Sequence, residues 1–303
     1  MGWILPALSR SAAGRALLTA SACVWCFHAA LADEPPALIP WAYSAYFGTG
    51  VYEVDDGETS YIIRAAPSWR IREASLDQHG HRMIGWRIRV PIAFGLHDFD
   101  TSALETTLKL KNVSTLTTVP GVEFDIPMTE RWSLRPFASL GYGAQLDGSS
   151  SAWVYWAGLK SKYTFSADGF DWAIVNALTY SGYTTAHMDA VASNVHTSSR
   201  VLPLLTAFEF DRPIEKKIGG EPVHLYWTVG YTDYVANKPL LVGSFVTSVD
   251  IGDEWELGMA FGRGKEPLKL WRLRWDRVGL SYRFSSDHRF QGISLSFSSI
   301  FDR

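Results

Sequence analysis

Apolar and polar residues alternate along most of this chain with a period of two. Between residues 63 and 72 the odd positions are Ile, Ala, Pro, Trp and Ile, whereas the even positions carry three arginines and two small residues. Near the other end, Ile293, Leu295 and Phe297 share one parity and serines occupy the other. This alternation is typical of strands with one apolar and one polar face. We therefore predict an all-β chain whose last strand covers 290–301.

Thirteen such segments can be traced, separated by connections rich in Gly, Asp and Ser. They are 41–54, 61–73, 86–90, 115–126, 132–146, 152–165, 170–183, 200–211, 223–234, 240–251, 254–261, 268–284 and 290–301.

Alternation is compatible both with a soluble β-sandwich and with a transmembrane β-barrel. Aromatic residues make up 14% of the chain, and no uninterrupted apolar run of eighteen residues is present. Without a spanning helix, the remaining route across a membrane is a closed antiparallel barrel. Single-chain bacterial barrels normally have an even number of strands. We expect about twelve, with fourteen as the alternative, so that either 41–54 is partly irregular or 254–261 merges with a neighbour.

The N-terminal residues have the pattern of an export signal. Arg10 and Arg15 precede the apolar stretch 16–30, and Ala30-Leu31-Ala32 is a small-residue cleavage site. We expect a signal peptide over 1–32 with cleavage near Ala32, a short periplasmic segment over 33–40 and an outer-membrane barrel over 41–303. A lipoprotein signal ending at Cys23 is the alternative. The expected location is the bacterial cell outer membrane.

Composition excludes several kinds of chemistry from the exported part. Both cysteines, Cys23 and Cys26, lie within 1–32, so residues 33–303 have no disulfide, cysteine zinc site or thiol nucleophile. Removal of Arg10 and Arg15 takes the formal net charge from −3 to −5. A mildly acidic chain gives no electrostatic support for binding nucleic acid.

The C-terminal residues resemble a known family. Segments 278–284 and 292–301, together with 120–124 and 132–136, are similar to those of autotransporter-type outer-membrane barrels. The resemblance implies a twelve-stranded barrel of the solitary, passenger-less kind, with the barrel-assembly machinery as a partner. It also implies that the last strand presents an apolar assembly face. The residues of that face are Ile293, Leu295, Phe297 and Phe301, although Asp302 and Arg303 extend beyond the terminal Phe.

Charged residues on the polar parity are the candidate functional set. The basic residues are Arg64, Arg70, Arg72, Arg87, Arg89, Arg272 and Arg274. Their acidic counterparts are Glu123, Asp125, Glu209, Asp211 and Asp276. In a closed barrel the arginines would form one basic inner wall that favours small anionic solutes, because charges that line a pore set the local ion concentration. The alternative is a structural network of ion pairs that fills the lumen.

Two other kinds of function remain open. The polar connections 97–112 and 184–199 could bind partners at the cell surface. His97, His187 and His196 lie near acidic or hydroxyl residues, as a hydrolase would need, yet their spacing fixes no catalytic geometry and no G-x-S-x-G motif is present. His79 and His81 form a weak metal pair. We expect no enzyme activity, no cofactor and no metal, and expect outer-membrane lipid and lipopolysaccharide as partners alongside small anionic solutes.

Overall fold

The computed structural model describes residues 40–54, 58–77, 80–98, 113–188, 198–218, 220–235, 251–264, 268–270 and 273–303. In this part of the chain, twelve antiparallel strands form one closed barrel in which each strand pairs with its sequence neighbours and the first pairs with the last. Val51 lies opposite Ile293 at that closing seam. The expected signal peptide and most of the segment 33–40 fall outside the described residues.

Four strands contain a short interruption and are counted once. The strands are β1 (Thr49–Val54), β2 (Glu58–Ala65 and Ser68–Arg72), β3 (Gly85–Arg89 and Ile92–Asp98), β4 (Val113–Thr118 and Gly121–Pro127), β5 (Trp132–Gln145), β6 (Ser150–Ala167), β7 (Phe170–Met188), β8 (Ser198–Val201 and Pro203–Ile218), β9 (Glu221–Tyr234), β10 (Asp253–Gly262), β11 (Arg277–Phe284) and β12 (Phe290–Ser296).

The twelve strands confirm the expected number. The structure also shows which of the thirteen predicted segments are not single strands. Segment 41–54 is partly irregular, because a 3-10 helix, Pro40–Tyr46, precedes β1. Segment 254–261 is the separate strand β10. Segment 268–284 was wrongly predicted to be one strand: Leu268–Leu270 and Leu273–Trp275 pair with each other in a small hairpin, and β11 starts only at Arg277. Segment 240–251 lies almost wholly outside the described residues.

The two faces of the strands differ as the alternation predicts. Large apolar side chains such as Ile63 and Leu280, which are 66% and 56% exposed, project outward. Small and charged side chains project into the lumen, where Thr115, Arg135 and Ser281 are buried. An outer apolar surface with a polar interior is the arrangement of a barrel that crosses lipid. None of the helices in the described residues is long and apolar enough to span a membrane.

The two ends of the barrel have different connections. At the turn end, tight turns join β4 to β5, β6 to β7 and β8 to β9. Asp168 and Gly169 have φ values of 54° and 76°, as a two-residue hairpin requires, so the predicted hairpin at 167–169 is confirmed. At the opposite, loop end lie the longer connections 99–112, 189–197 and 236–250, which are outside the described residues.

The lumen is occupied by segments from both ends of the barrel domain. The N-terminal 3-10 helix packs in the loop-end half, where Ala42, Ala45 and Phe47 belong to an apolar cluster with side chains of the surrounding strands. A second 3-10 turn, Ile300–Asp302, lies in the turn-end half. Ile300 and Phe301 pack there against Val175 and Ala207. The loop-end half of the interior is therefore an apolar layer. The turn-end half also contains buried charged side chains such as Arg135 and Glu209, and it is called the charged layer here.

Candidate functional site

Five cations from neighbouring strands form what we call the basic wall. These are Arg64 on β2, Arg87 and Arg89 on β3, Arg135 on β5 and Lys160 on β6. Each lies on the inward parity of its strand, and Arg135 is only 4% exposed. Because alternate residues of a strand share a face, two arginines two positions apart on β3 point into the same space.

Two carboxylates lie among these cations because β4 runs between β3 and β5. The register places Arg87 opposite Glu123. Nη2 of Arg87 lies 3.0 Å from Oδ2 of Asp125, and Nη1 of Arg89 lies 3.4 Å from Oε1 of Glu123. Arg135 also contacts Asp125 through Nε. The basic wall thus has five cations and two wall carboxylates, so it keeps an excess of positive charge.

The C-terminal segment, residues 297–303, enters this space. β12 ends at Ser296, and the following residues turn into the lumen. The ring of Phe301 is 4% exposed, and the guanidinium carbon of Arg135 lies 3.9 Å from its centroid, a cation–π contact. Oδ1 of Asp302 lies 2.7 Å from Nη1 of Arg135 and 3.2 Å from Nη1 of Arg87.

Main-chain oxygens of the same segment accept the remaining hydrogen bonds. Nζ of Lys160 donates to the oxygen of Arg303 at 2.8 Å and to that of Phe301 at 3.3 Å. Arg135 donates to the oxygen of Phe301 at 3.0 Å, and Arg89 donates to that of Arg303. The C-terminal segment therefore forms an ion pair or a hydrogen bond with four of the five cations, all except Arg64.

The opposite side of the lumen carries the reverse charge and is called the acidic wall here. It consists of Glu209 on β8 and Glu254 and Glu256 on β10, paired with Arg277 and Arg283 on β11.

The acidic wall holds the other end of the C-terminal segment. Arg303 donates to Glu256 and, at 2.9 Å, to the hydroxyl of Ser296. Oε1 of Glu209 accepts the backbone N–H of Ile300 at 2.9 Å. The C-terminal segment thus presents the carboxylate of Asp302 to the basic wall and the guanidinium of Arg303 to the acidic wall. Each charge faces charges of the opposite sign, which is the favourable orientation.

The apolar layer at the loop end holds the N-terminal segment inside the lumen, above these charges. The hydroxyl of Tyr46 donates to the main-chain oxygen of Tyr155 at 2.8 Å, and its ring centroid lies 4.6 Å from that of Trp156. Phe47 contacts the rings of Tyr52 and Phe290. These contacts attach the N-terminal helix to strands on opposite sides of the barrel.

The structure brings together part of the predicted basic set. Arg64, Arg87 and Arg89 lie on the basic wall. Arg70 stands opposite Arg87 in the ladder, but its side chain is 56% exposed and pairs with Glu73 at 3.0 Å. A β-bulge after Arg70 moves Arg72 opposite Trp86, on the outer face, so Arg72 does not have the lumen-facing position that we predicted.

The remaining predicted charges are distributed differently. Glu123, Asp125 and Glu209 line the charged layer. Asp211 instead pairs with His224 at 2.6 Å, and Asp276 is a half-exposed neighbour of Arg277. Arg274 lies in the small hairpin rather than in a barrel strand. Arg272 and the side chain of Arg274 lie outside the described residues, so the expected extension of the basic wall by these two arginines stays a prediction.

The predicted assembly face of the last strand also needs correction. Ile293 and Leu295 project outward, as expected. Phe297 follows the end of β12 and contacts the ring of Trp275. Phe301 was predicted on the outer face but lies in the lumen, because the chain leaves the sheet after Ser296 and its parity no longer applies.

Sequence reasoning missed several residues of the site. These are Arg135, Lys160, Arg277, Arg283 and Arg303. The first four lie on the inward parity of their strands, so the period-two rule applied to every cation would have found them. Arg303 carries no such signal, because its position depends on a turn outside the sheet.

The histidine candidates show no catalytic arrangement in the part of the chain described. Nδ1 of His97 lies 2.8 Å from Oγ of Ser60, and Nε2 lies 3.3 Å from Oγ1 of Thr115, but His97 is only 2% exposed and packs in the interior. His81 pairs with Asp77 at 2.7 Å in an exposed turn, and the side chain of His187 is exposed. His79 and His196 lie outside the described residues, among which no group of three or more His, Cys, Asp and Glu could hold a metal.

Comparison with known proteins finds solved structures with a similar fold. No family model and no curated protein matches the sequence. The translocator domain of the autotransporter NalP from Neisseria meningitidis is similar at a TM-score of 0.53 and 9% identity, over 81% of this chain and 82% of that one. The β domain of the Bordetella autotransporter Brka is similar at 0.51 and 13% identity, over 82% and 96%. Neither is described as an enzyme. The chain has the fold of an autotransporter-type transmembrane β-barrel.

Proposed function

We propose that this chain is a bacterial outer-membrane barrel for the passive passage of small anionic solutes, and that it rests in a closed state. The observation that carries the proposal is the excess of cations on the basic wall, where five positive side chains face two wall carboxylates. Charges that line a lumen raise the local concentration of oppositely charged solutes. The solutes favoured would therefore be anions.

The outer surface supports a location in lipid. Large apolar side chains cover the lipid-facing parity of the strands, and the closed ladder satisfies the backbone groups that lipid cannot. We propose outer-membrane lipid and lipopolysaccharide as its surroundings, insertion by the barrel-assembly machinery and removal of residues 1–32 near Ala32 during export.

The two layers in the lumen support a closed resting state. The N-terminal helix packs among apolar side chains, and the C-terminal segment spans the basic and acidic walls. Passage requires both segments to move. A charged layer is a costly way to fill an interior that could be packed with apolar residues, because ionised groups lose hydration there. Its presence favours a role for the charges beyond stability.

Planar-bilayer conductance tests this function. The wild-type barrel is expected to be silent or to open rarely, whereas a chain lacking both 40–46 and 298–303 should give stable, anion-selective openings. In that background, replacing Arg87 and Arg89 by Ala should abolish the anion preference. The matched control is Arg70→Ala, which removes an exposed arginine of the neighbouring strand.

Two outcomes would contradict the proposal. One is a doubly deleted barrel that migrates as a folded, heat-modifiable species and yet stays silent. The other is an open barrel that prefers cations, or whose anion preference survives the replacement of Arg87 and Arg89.

A further inference from the structure

The geometry points to an oxyanion-binding site on the basic wall, specific for a small carboxylate or phosphate, with Asp302 as its built-in competitor. The inference rests on the proposed function, because an external anion reaches these cations only through the lumen. It adds the chemical class of the solute, the residues that bind it and the group that it must displace.

The C-terminal segment occupies this site as a ligand would. Oδ1 of Asp302 contacts both Arg87 and Arg135, and Oδ2 accepts the hydroxyl of Ser299 at 2.9 Å. Main-chain oxygens of the segment receive the hydrogen bonds of Lys160 and Arg89. Several donors thus converge on a small group of oxygen atoms, which include the side-chain carboxylate of Asp302.

Arg64 supplies a second, independent observation. Its Nε atom is buried and has no hydrogen-bond partner, and no acidic residue forms an ion pair with it in the described part of the chain. It also lies near enough to Arg89 for the like charges to repel. Buried arginines normally have hydrogen-bonded acidic partners, so an unpaired donor beside an occupied anion site leaves capacity for further negative charge.

Displacement of the segment would change the two walls unequally. Glu256 keeps Arg283 at 3.7 Å when Arg303 leaves, so the acidic wall retains a partner. In the described residues, Lys160 has only oxygens of the C-terminal segment as hydrogen-bond acceptors. Asp302 adds a third side-chain carboxylate to the two on the basic wall. The segment can therefore leave easily only when another anion replaces it. Guanidinium groups prefer planar carboxylates and phosphates, which accept two hydrogen bonds at once, over chloride.

Binding of inorganic phosphate to the full-length barrel in detergent, measured by titration calorimetry against chloride at equal ionic strength, tests the site. Asp302→Asn should bind phosphate about tenfold more tightly than the wild type, because the competing charge is gone. Asp147→Asn removes an exposed carboxylate at the loop end and should leave the affinity unchanged. Adding Lys160→Met to Asp302→Asn should lower the affinity by about tenfold, whereas Lys217→Met, at an exposed position, should not.

A labelling experiment keeps the test independent of how Asp302→Asn folds. Residues 33–303 contain no cysteine, so Ser298→Cys introduces a single thiol at the base of the C-terminal segment. Phosphate should raise the rate of thiol labelling several-fold over sodium chloride of equal ionic strength, as it displaces the segment. Equal rates in the two salts, or phosphate affinity that is the same in the wild type and in both Asp302 variants, would overturn the inference.

The conductance experiment separates this inference from the proposed function. If the doubly deleted barrel gives anion-selective openings but the full-length barrel does not bind phosphate, the proposed function stands and the oxyanion-binding site is ruled out. If the full-length barrel binds phosphate but the folded, doubly deleted barrel stays silent, the oxyanion-binding site stands and the proposed channel function is ruled out.

Discussion

The carboxylate of Asp302 lies 2.7 Å from the guanidinium of Arg135, although 167 positions separate them in the chain. Arg135 also contacts Asp125 on the adjacent strand and lies over the ring of Phe301. One side chain on β5 thus joins the barrel wall to a segment that has left the sheet. The charged layer is held together through this residue, and its removal should affect both the wall and the segment.

Replacement of Arg135 by Met should lower the free energy of unfolding by about 3 to 5 kcal/mol, because Asp302 loses its nearest cation inside the barrel. Urea unfolding of the detergent-solubilised barrel measures the change. Arg70→Met is the control: it breaks an exposed pair with Glu73 and should cost less than about 1 kcal/mol. Equal losses in the two variants would show that Arg135 is not buried in an ion-pair network.

Phe301 is expected to act on stability rather than on membrane insertion. Phe301→Ala removes a buried ring and should lower the free energy of unfolding by about 3 kcal/mol. Because the ring faces the lumen, the yield of inserted barrel should fall by the same factor with and without purified barrel-assembly machinery. Leu295→Ala, on the outward face of β12, is the control. A defect of Phe301→Ala that appears only with the machinery would place Phe301 on the outer face.

The contact between β4 and β5 requires glycine at position 141. A Cβ atom there would lie 2.4 Å from Cα of Val119, a backbone atom that cannot move away without breaking the ladder. Gly141→Ala should therefore destabilise the barrel by about 1 to 3 kcal/mol. At Gly230 the nearest atoms to an added Cβ lie 3.5 Å away, so Gly230→Ala should be neutral or stabilising by about 0.5 kcal/mol. Thermal loss of heat-modifiable mobility compares the two variants, and a reversed order would contradict the predicted packing.

Closure of the barrel can be tested at the seam between β1 and β12. Val51 and Ile293 are directly opposite each other in the ladder and both project outward. A chain with cysteine at both positions should form an intramolecular disulfide under mild oxidation, since opposite side chains on paired strands are close enough to bridge. Cysteines at Val51 and Met259, which is on β10, should not cross-link. Mass spectrometry of tryptic peptides distinguishes the two results.

The strands could be predicted from the sequence because lipid requires apolar side chains on one face of a strand and the lumen accepts polar side chains on the other. Arg87 and Arg89 alternate with apolar neighbours, and once the chain is taken as a barrel that crosses lipid, this alternation predicts their inward direction. Arg72 breaks the rule because a bulge shifts its register, and a local alternation does not reveal a bulge. Phe301 breaks it because the strand has already ended. In both cases the alternation of the sequence continues, but the regular strand that would give it a fixed inward and outward direction has been interrupted or has ended.

The sequence by itself predicted an antiparallel barrel of about twelve strands, with fourteen as the alternative. Its apolar exterior and charged interior positions follow from a period of two and from the need to satisfy every backbone group in lipid. The number twelve was fixed by the strand pairing. Which charges meet was decided by the tertiary structure. Asp302 and Arg303 look like an overhang in the sequence, yet they connect the basic and acidic walls. Contacts between residues so far apart depend on closure of the barrel and on a turn at its end, and no local pattern encodes either.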